Sequence, residues 1–286
     1  MSASKKVSSR QVAAKSPRGA APKVVPLATV PAWPAAAGQS APWGPRAGIP
    51  RGAESRTLAG RTAQRIREDI VRNRLAPGER LTNEKLAARY EVGTSPLREA
   101  LFQVAGDGLV RIEDHKGFVV APIELAEMWD VSSLRAYLEI NAMRRSIALG
   151  GEAWEAAVLT ADHRLAKAER RLLDASAAQL ADAEDEWERR HREFHFALCS
   201  ACESPWLLYF FDTLYDQLER YRRHFWQYRE RAGGADDQHR QIRDAALDRD
   251  AERATQLLTQ HFERQAELSA LSATQPAKAP RKKRAA

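Results

Sequence analysis

The sequence predicts a mainly α protein: an N-terminal winged helix-turn-helix with a small β-hairpin wing, followed by an all-α antiparallel bundle of about six helices. Three observations predict it. Apolar residues recur at helical spacing with two tight interruptions, at Ala76-Pro77-Gly78 and Glu91-Val92-Gly93. Two short β-prone runs around Gly117 come next, and from Ile123 onward only amphipathic helical stretches follow.

In RTAQRIREDIVRNRL, Ala63, Ile66 and Ile70 share one helical face, with Leu75 just beyond it. Thr82 is placed to cap a short second helix with Leu86, Ala87 and Tyr90 on its apolar side. A third helix opens at Thr94-Ser95-Pro96, where a hydroxyl can cap free N–H groups and proline suits the first turn. Two short helices across a tight turn give the helix-turn-helix layout. Leu109–Glu113 and Phe118–Val120 then bracket Asp114-His115-Lys116-Gly117 as a hairpin, the wing. Such a module sets its third helix in the major groove and its hairpin tip along the phosphate backbone or in the minor groove.

The chain has 286 residues, with 44% hydrophobic and 29% charged, the balance of a globular protein and too polar for a membrane protein. No apolar run is long enough to span a bilayer, and residues 1–40 lack the apolar core of a secretory signal, so a cytoplasmic, nucleoid-associated location is expected. The net charge of +7 is unevenly placed. No acidic residue precedes Glu54 or follows Glu267, and the cations of residues 1–53 and 278–284 outnumber the net charge, which leaves the body acidic. The division follows: a basic Ala/Pro-rich disordered tail over 1–55, the DNA-binding unit over 56–121, the helical unit over 122–272 and a second basic disordered tail over 273–286.

Breaks near Gly150-Gly151, Ala175-Ser176, Glu203-Ser204-Pro205, Gly233-Gly234 and Arg249-Asp250 divide the second unit into its helices. Phosphate loops and strand-turn nucleophile motifs are absent from it. Four of the seven histidines lie on core-facing stripes. His191 and His195 stand four apart with Phe194 and Leu198 on the same face; His239 aligns with Ile242 and Ala246, and His261 with Leu257, Leu258 and Phe262. Buried imidazoles need partners, and hydrogen bonds in the core or one shared metal ion would both supply them. The spacing HREFH differs from the zinc-protease motif: Arg192 stands where the glutamate belongs, and Glu193 points off the shared face, so no general base is supplied and no enzyme is expected. Cys199 and Cys202 form a lone pair assigned to core packing. The stripe Trp206, Phe210, Leu214 and Leu218 is read as core or subunit contact, and Arg220, Arg222 and Arg223 as solvated.

LAPGERL, NEKLAARYEVGTSPLREALFQVAGDGLV and HKGFVV together resemble the DNA-binding domain of the GntR family in order and spacing. The resemblance implies double-stranded operator DNA as partner, with Arg98, Thr94, Ser95 and Thr82 facing it and His115, Lys116 and Gly117 at the wing tip. Gly93-Thr94-Ser95-Pro96 replaces the common Ser-Arg-Thr-Pro, so the guanine-reading arginine is missing at Thr94 and the family's usual operator does not carry over.

LRAYLEINAMRRSIA, HREFHFAL and DQHRQIRDAALDRDAERATQLLTQHF resemble the FCD ligand-binding domain of the FadR-type branch. Members with a metal use an aspartate, a histidine four residues on, and two later histidines. His195, His239 and His261 match the histidines, while His191 takes the aspartate position. The result is an all-nitrogen set suited to a divalent transition metal such as zinc or nickel, or a drifted site that binds an organic ligand without metal. Arg135 and Glu139 match the family's Arg/Glu pair, which implies a small carboxylate effector; the alternative is an ordinary helical ion pair. The function implied is that of an operator-binding homodimer, a repressor released by its effector. Competing readings are a bundle that only dimerises and, remotely, a metallohydrolase.

Overall fold

The computed structural model describes residues 57–225 and 228–273. Both expected tails lie outside them, apart from Ala273, the last residue of the final helix.

The head begins with α1 (Leu58–Val71), capped by Thr57, whose hydroxyl accepts from the Gly60 amide at 3.0 Å. Ala63, Ile66 and Ile70 are buried as their spacing predicts, and Leu75 joins them from the turn after the helix. α2 (Asn83–Tyr90) starts after Thr82, and α3 (Thr94–Gly106) after Gly93. Neither Thr82 nor the residue before α3 makes a side-chain cap bond, so the hydroxyl cap expected at the start of α3 is not formed. Glu91, with φ 57°, ends α2 in the left-handed region and makes the tight turn.

Three strands make one antiparallel sheet in the order β1-β3-β2, from β1 (Arg80–Leu81), β2 (Val110–Glu113) and β3 (Gly117–Val120). The wing pairs Ile112 with Phe118 and Glu113 with Gly117. β1, which the sequence pattern did not reveal, pairs Arg80 with Val119 and ties the α1–α2 connection to the wing.

Among the described residues six helices follow: α4 (Leu125–Leu149), α5 (Glu152–Asp174), α6 (Leu180–Cys199), α7 (Pro205–Phe225), α8 (Tyr228–Leu247) and α9 (Ala251–Ala273). The α4–α5 turn uses Gly150 because a Cβ there would lie 2.6 Å from the Trp154 ring and 2.7 Å from the Ser146 carbonyl. Gly233 and Gly234 do not break the chain as expected; they lie inside α8, which packs between α5 and α9. Two glycines cost a helix roughly 1 kcal/mol each, less than tertiary packing supplies to a helix held on two sides.

α7 departs most from expectation. Arg220 and Arg222, expected in solvent, are 1% and 3% exposed, and Arg223 is tied to Asp185 at 2.6 Å and Glu219 at 2.7 Å. At the other end of α7, Trp206 and Phe210 are about half exposed, while Leu218 is buried. The stripe is therefore core only in its second half. Among the described residues no helix is long and apolar enough to cross a membrane.

Candidate metal and effector centre

The helical period places His191 and His195 one turn apart on α6, facing His239 of α8 and His261 of α9. All four are buried, and one donor nitrogen from each lies within 4.8 Å of those of the others. Trp187, one turn before His191, stacks on its ring with centroids 4.6 Å apart.

The outer nitrogens of the α6 pair are held from behind. His195 Nδ1 is bonded to the Glu139 carboxylate, and His191 Nδ1 lies 2.7 Å from the Tyr215 hydroxyl. That hydroxyl can donate to Glu188, whose Oε2 is 3.3 Å away, and so accept from His191. A carboxylate only accepts, so His195 carries its proton on Nδ1. Both rings then turn Nε2 lone pairs toward the cluster, where the two Nε2 atoms stand 3.2 Å apart. Two lone pairs at that distance repel unless a proton or an ion lies between them. In a tetrahedral zinc site with Zn–N near 2.05 Å, the nitrogens are separated by about 3.3 Å.

Burial pushes all four imidazoles below the ordinary histidine value, His191, His239 and His261 furthest; neighbouring histidines add to the shift of those three, while Glu139 works against it at His195. They are neutral, the form that ligates metal. Among the described residues, His239 has no hydrogen-bond partner on either nitrogen. An unsatisfied buried polar group costs about 1–3 kcal/mol, and a shared cation would remove that cost. His261 has Nδ1 at 3.3 Å from Gln238 Oε1 and Nε2 against the Gln265 amide. The donor set therefore fits a borderline-soft divalent metal.

Arg135 and Glu139 line the same interior from α4. The pair is completely buried, Arg135 Nε and Nη2 lying 3.2 and 3.0 Å from Glu139 Oε2. Burial opposes the Glu139 charge, and facing His195 and Arg135 more than offset it, so the carboxyl sits below its ordinary range. The Arg135 guanidinium lies over Tyr215 at 4.4 Å, Phe262 at 5.2 Å and Phe211 at 5.4 Å. Both its terminal nitrogens lack a well-aligned hydrogen-bond acceptor among the described residues. Such a fork, desolvated and incompletely paired, suits a carboxylate. One turn back on α4, Ser132 opens onto a small cleft of about 20 Å³ between α4, α7 and α9, lined also by Met128, Leu218, Tyr221, Arg222, Gln265, Ala266 and Ser269.

Sequence reasoning missed Tyr215, Glu188 and Arg222. Arg222 donates to both Glu188 oxygens at 2.8 Å, and with Arg135 and Arg192 it brings three guanidinium groups within 5 Å of the Tyr215 ring. Burial pushes the Tyr215 phenol well above its ordinary value, so it keeps its proton. Cys199 and Cys202 are buried free thiols, both pushed up by burial, in keeping with core packing.

On the head, Arg98, Thr94 and Ser95 are exposed at the start of α3, and no hydrogen bond or ion pair ties Arg98 to another described residue. Thr82 is half-buried beside them in sequence order at the start of α2. His115 (φ 63°), Lys116 and Gly117 (φ 75°) form the exposed wing turn, with Lys116 paired to Glu113 at 2.6 Å. Arg111 is a strand surface residue, near Glu124 and Glu127 at 3.6 and 3.7 Å. His163 and His224 stand apart from the four clustered histidines.

Residues 58–120 match the bacterial regulatory proteins of the gntR family, and residues 130–264 match the FCD domain. The chain is 41% identical over 211 residues to the HTH-type transcriptional regulator BphR of Paraburkholderia xenovorans, covering 74% of this chain and 84% of that one. It is 38% identical over 202 residues to the HTH-type transcriptional repressor GlaR of Escherichia coli, covering 69% and 89%. Among solved structures, a GntR transcriptional regulator from a Rhodococcus species superposes with a TM-score of 0.61 at 21% identity, over 74% of this chain and 97% of that one. Escherichia coli McbR/YncC gives the same TM-score at 15% identity, over 76% and 99%, so both share the fold. The chain thus belongs to the gntR family and carries an FCD domain: it is a DNA-binding transcriptional regulator and not an enzyme.

Proposed function

We propose that this regulator is a homodimeric repressor whose bundle senses a small organic acid through a divalent transition metal, zinc or nickel, held by His191, His195, His239 and His261. The carrying observation is the convergence of four buried, neutral imidazoles, one of them, His239, with no hydrogen-bond partner among the described residues. When bound, the metal supplies a positive centre for an oxygen of the effector. The chain's own residues do the rest. Glu139 and Tyr215 hold His195 and His191 in the ligating orientation, while Arg135, already paired with Glu139, receives a carboxylate with the N–H groups that lack a well-aligned acceptor. Repression is supported by the name of the relative GlaR, itself a transcriptional repressor.

On DNA, Arg98, Thr94 and Ser95 face the major groove from α3, with Thr82 near the backbone and His115, Lys116 and Gly117 along the phosphates. The effector shifts the population between two arrangements of the heads, which requires that it bind one arrangement more tightly. Elemental analysis of untagged protein tests the metal: one equivalent per chain is expected, lost in His195→Ala/His239→Ala. A metal-free protein that takes up neither zinc nor nickel would leave a bundle that dimerises or binds a metal-free ligand. Arg98→Ala is expected to weaken binding to the protein's selected operator by about 1–3 kcal/mol without changing metal content.

A further inference from the structure

Gln265 stands where the histidine cluster meets the cleft. It follows His261 by one turn of α9, and its amide nitrogen is against His261 Nε2 while the same side chain lines the cleft beside Arg222, Ser132 and Ser269. An amide nitrogen only donates. His261 Nε2 is therefore the acceptor, and its proton sits on Nδ1, toward Gln238 Oε1 at 3.3 Å.

The other histidines of the cluster differ. His191 and His195 use Nδ1 for Tyr215 and Glu139 and turn Nε2 to each other, and His239 has no hydrogen-bond partner among the described residues. Among the described residues, His261 is the one of the four whose Nε2 faces a glutamine amide, that of Gln265, which occupies its lone pair. A metal that takes this lone pair must displace the Gln265 amide, and the amide's open direction is the cleft.

We infer that Gln265 links metal to effector: it caps His261 while the site lacks metal, and on metal binding it turns its amide into the cleft, where it becomes an effector contact and a determinant of specificity. This rests on the metal reading above. In the metal-free protein the hydrogen bond competes with the metal and satisfies a buried imidazole; in the metal-bound protein the released amide adds two N–H donors and a carbonyl beside Arg222. Metal binding then prepares the polar layer of the cleft.

The test is zinc binding to the full chain, stripped of metal, measured by competition with a chromophoric chelator. Gln265→Met keeps the volume and removes the donor, and Gln265→Ala is the second variant should the first fold poorly. Removing a competing hydrogen bond is expected to raise zinc affinity about fivefold. Gln238→Ala, which removes the bond on the other nitrogen, is expected not to raise it. In thermal unfolding, the metal-free Gln265 variants should melt below wild type and the zinc-loaded ones should match it. Unchanged or weaker zinc binding by the Gln265 variants would overturn the inference while leaving the metal site intact. Failure of wild type itself to bind zinc or nickel would overturn the metal reading and this inference together.

Discussion

Each of the four buried histidines is pushed below its ordinary value, chiefly by burial, so the unfolded chain takes up protons near pH 6.5 that the folded chain does not. The sign follows from linkage: the stability these groups contribute is present above pH 6.5 and is lost as pH falls below it. The slope approaches about 1.4 kcal/mol per pH unit for each histidine. Urea unfolding of metal-free protein at pH 7.5 and 5.5 should show this loss, and His239→Leu should make it shallower. An equal loss in the variant would mean that other groups govern acid sensitivity. His191 invites a second exchange. His191→Asp restores the carboxylate of the family's ligand set, and a harder ligand favours harder ions. The ratio of zinc to manganese affinity, measured by competition, should fall in that variant; a ratio at or above wild type would remove His191 from the ligand set. These four side chains were legible because helical period alone puts His191 and His195 on one face. Glu188, Tyr215 and Arg222 were not, because their burial depends on α7 lying against α6 and α4, which no local pattern records.

At the level of elements, α7 has two working sides. Tyr215, Leu218 and Arg222 face the histidine cluster and the cleft, while Asp216, Gln217 and Arg220 hold the head. Asp216 takes Arg192, the neighbour of His191, at 2.6 Å and lies 3.8 Å from Arg67 of α1. Arg67 in turn grips Asp107, the residue that ends α3. Gln217 donates to the Asp107 carbonyl at 2.7 Å, and Arg220 to the carbonyls of Ala121 and Pro122 at 2.6 and 3.3 Å. Gly108, with φ +76°, keeps this approach close, since a Cβ would stand 3.2 Å from the Gln217 amide. A small roll of α7 around the histidine cluster would thus be felt at the end of α3. Arg220→Ala should abolish any zinc-dependent change in hydrogen exchange over residues 94–107 while keeping one zinc per chain. Persistence of the change would place the coupling elsewhere. The head itself was readable from punctuation at Pro77-Gly78 and Gly93. β1 was not, since two residues carry no period, and the Gly233-Gly234 break failed because packing between α5 and α9 outweighs local propensity.

On the scale of the whole chain, charge decides how the regulator meets DNA. The body between the tails is acidic, and the cations that make the total +7 lie in residues 1–53 and 278–284. An acidic bundle repels a phosphate backbone, so the exposed cations of the head, Arg98 and Lys116 among them, act against that field. The terminal cations shift the balance toward association whatever the operator sequence, because each phosphate neutralised releases counterions. The two contributions separate by their salt dependence. A chain of residues 54–272 should bind its selected operator with a shallower dependence on salt, the slope falling by about 0.9 for each phosphate that the tails no longer neutralise. Its preference for operator over random DNA should rise, because the attraction removed with the tails is independent of sequence. Titrations at several salt concentrations, on both DNAs, measure slope and preference together, and metal content serves as the control that the bundle is intact. An unchanged slope would show that the head alone neutralises the phosphates, and a fall in preference would show that the terminal segments read sequence.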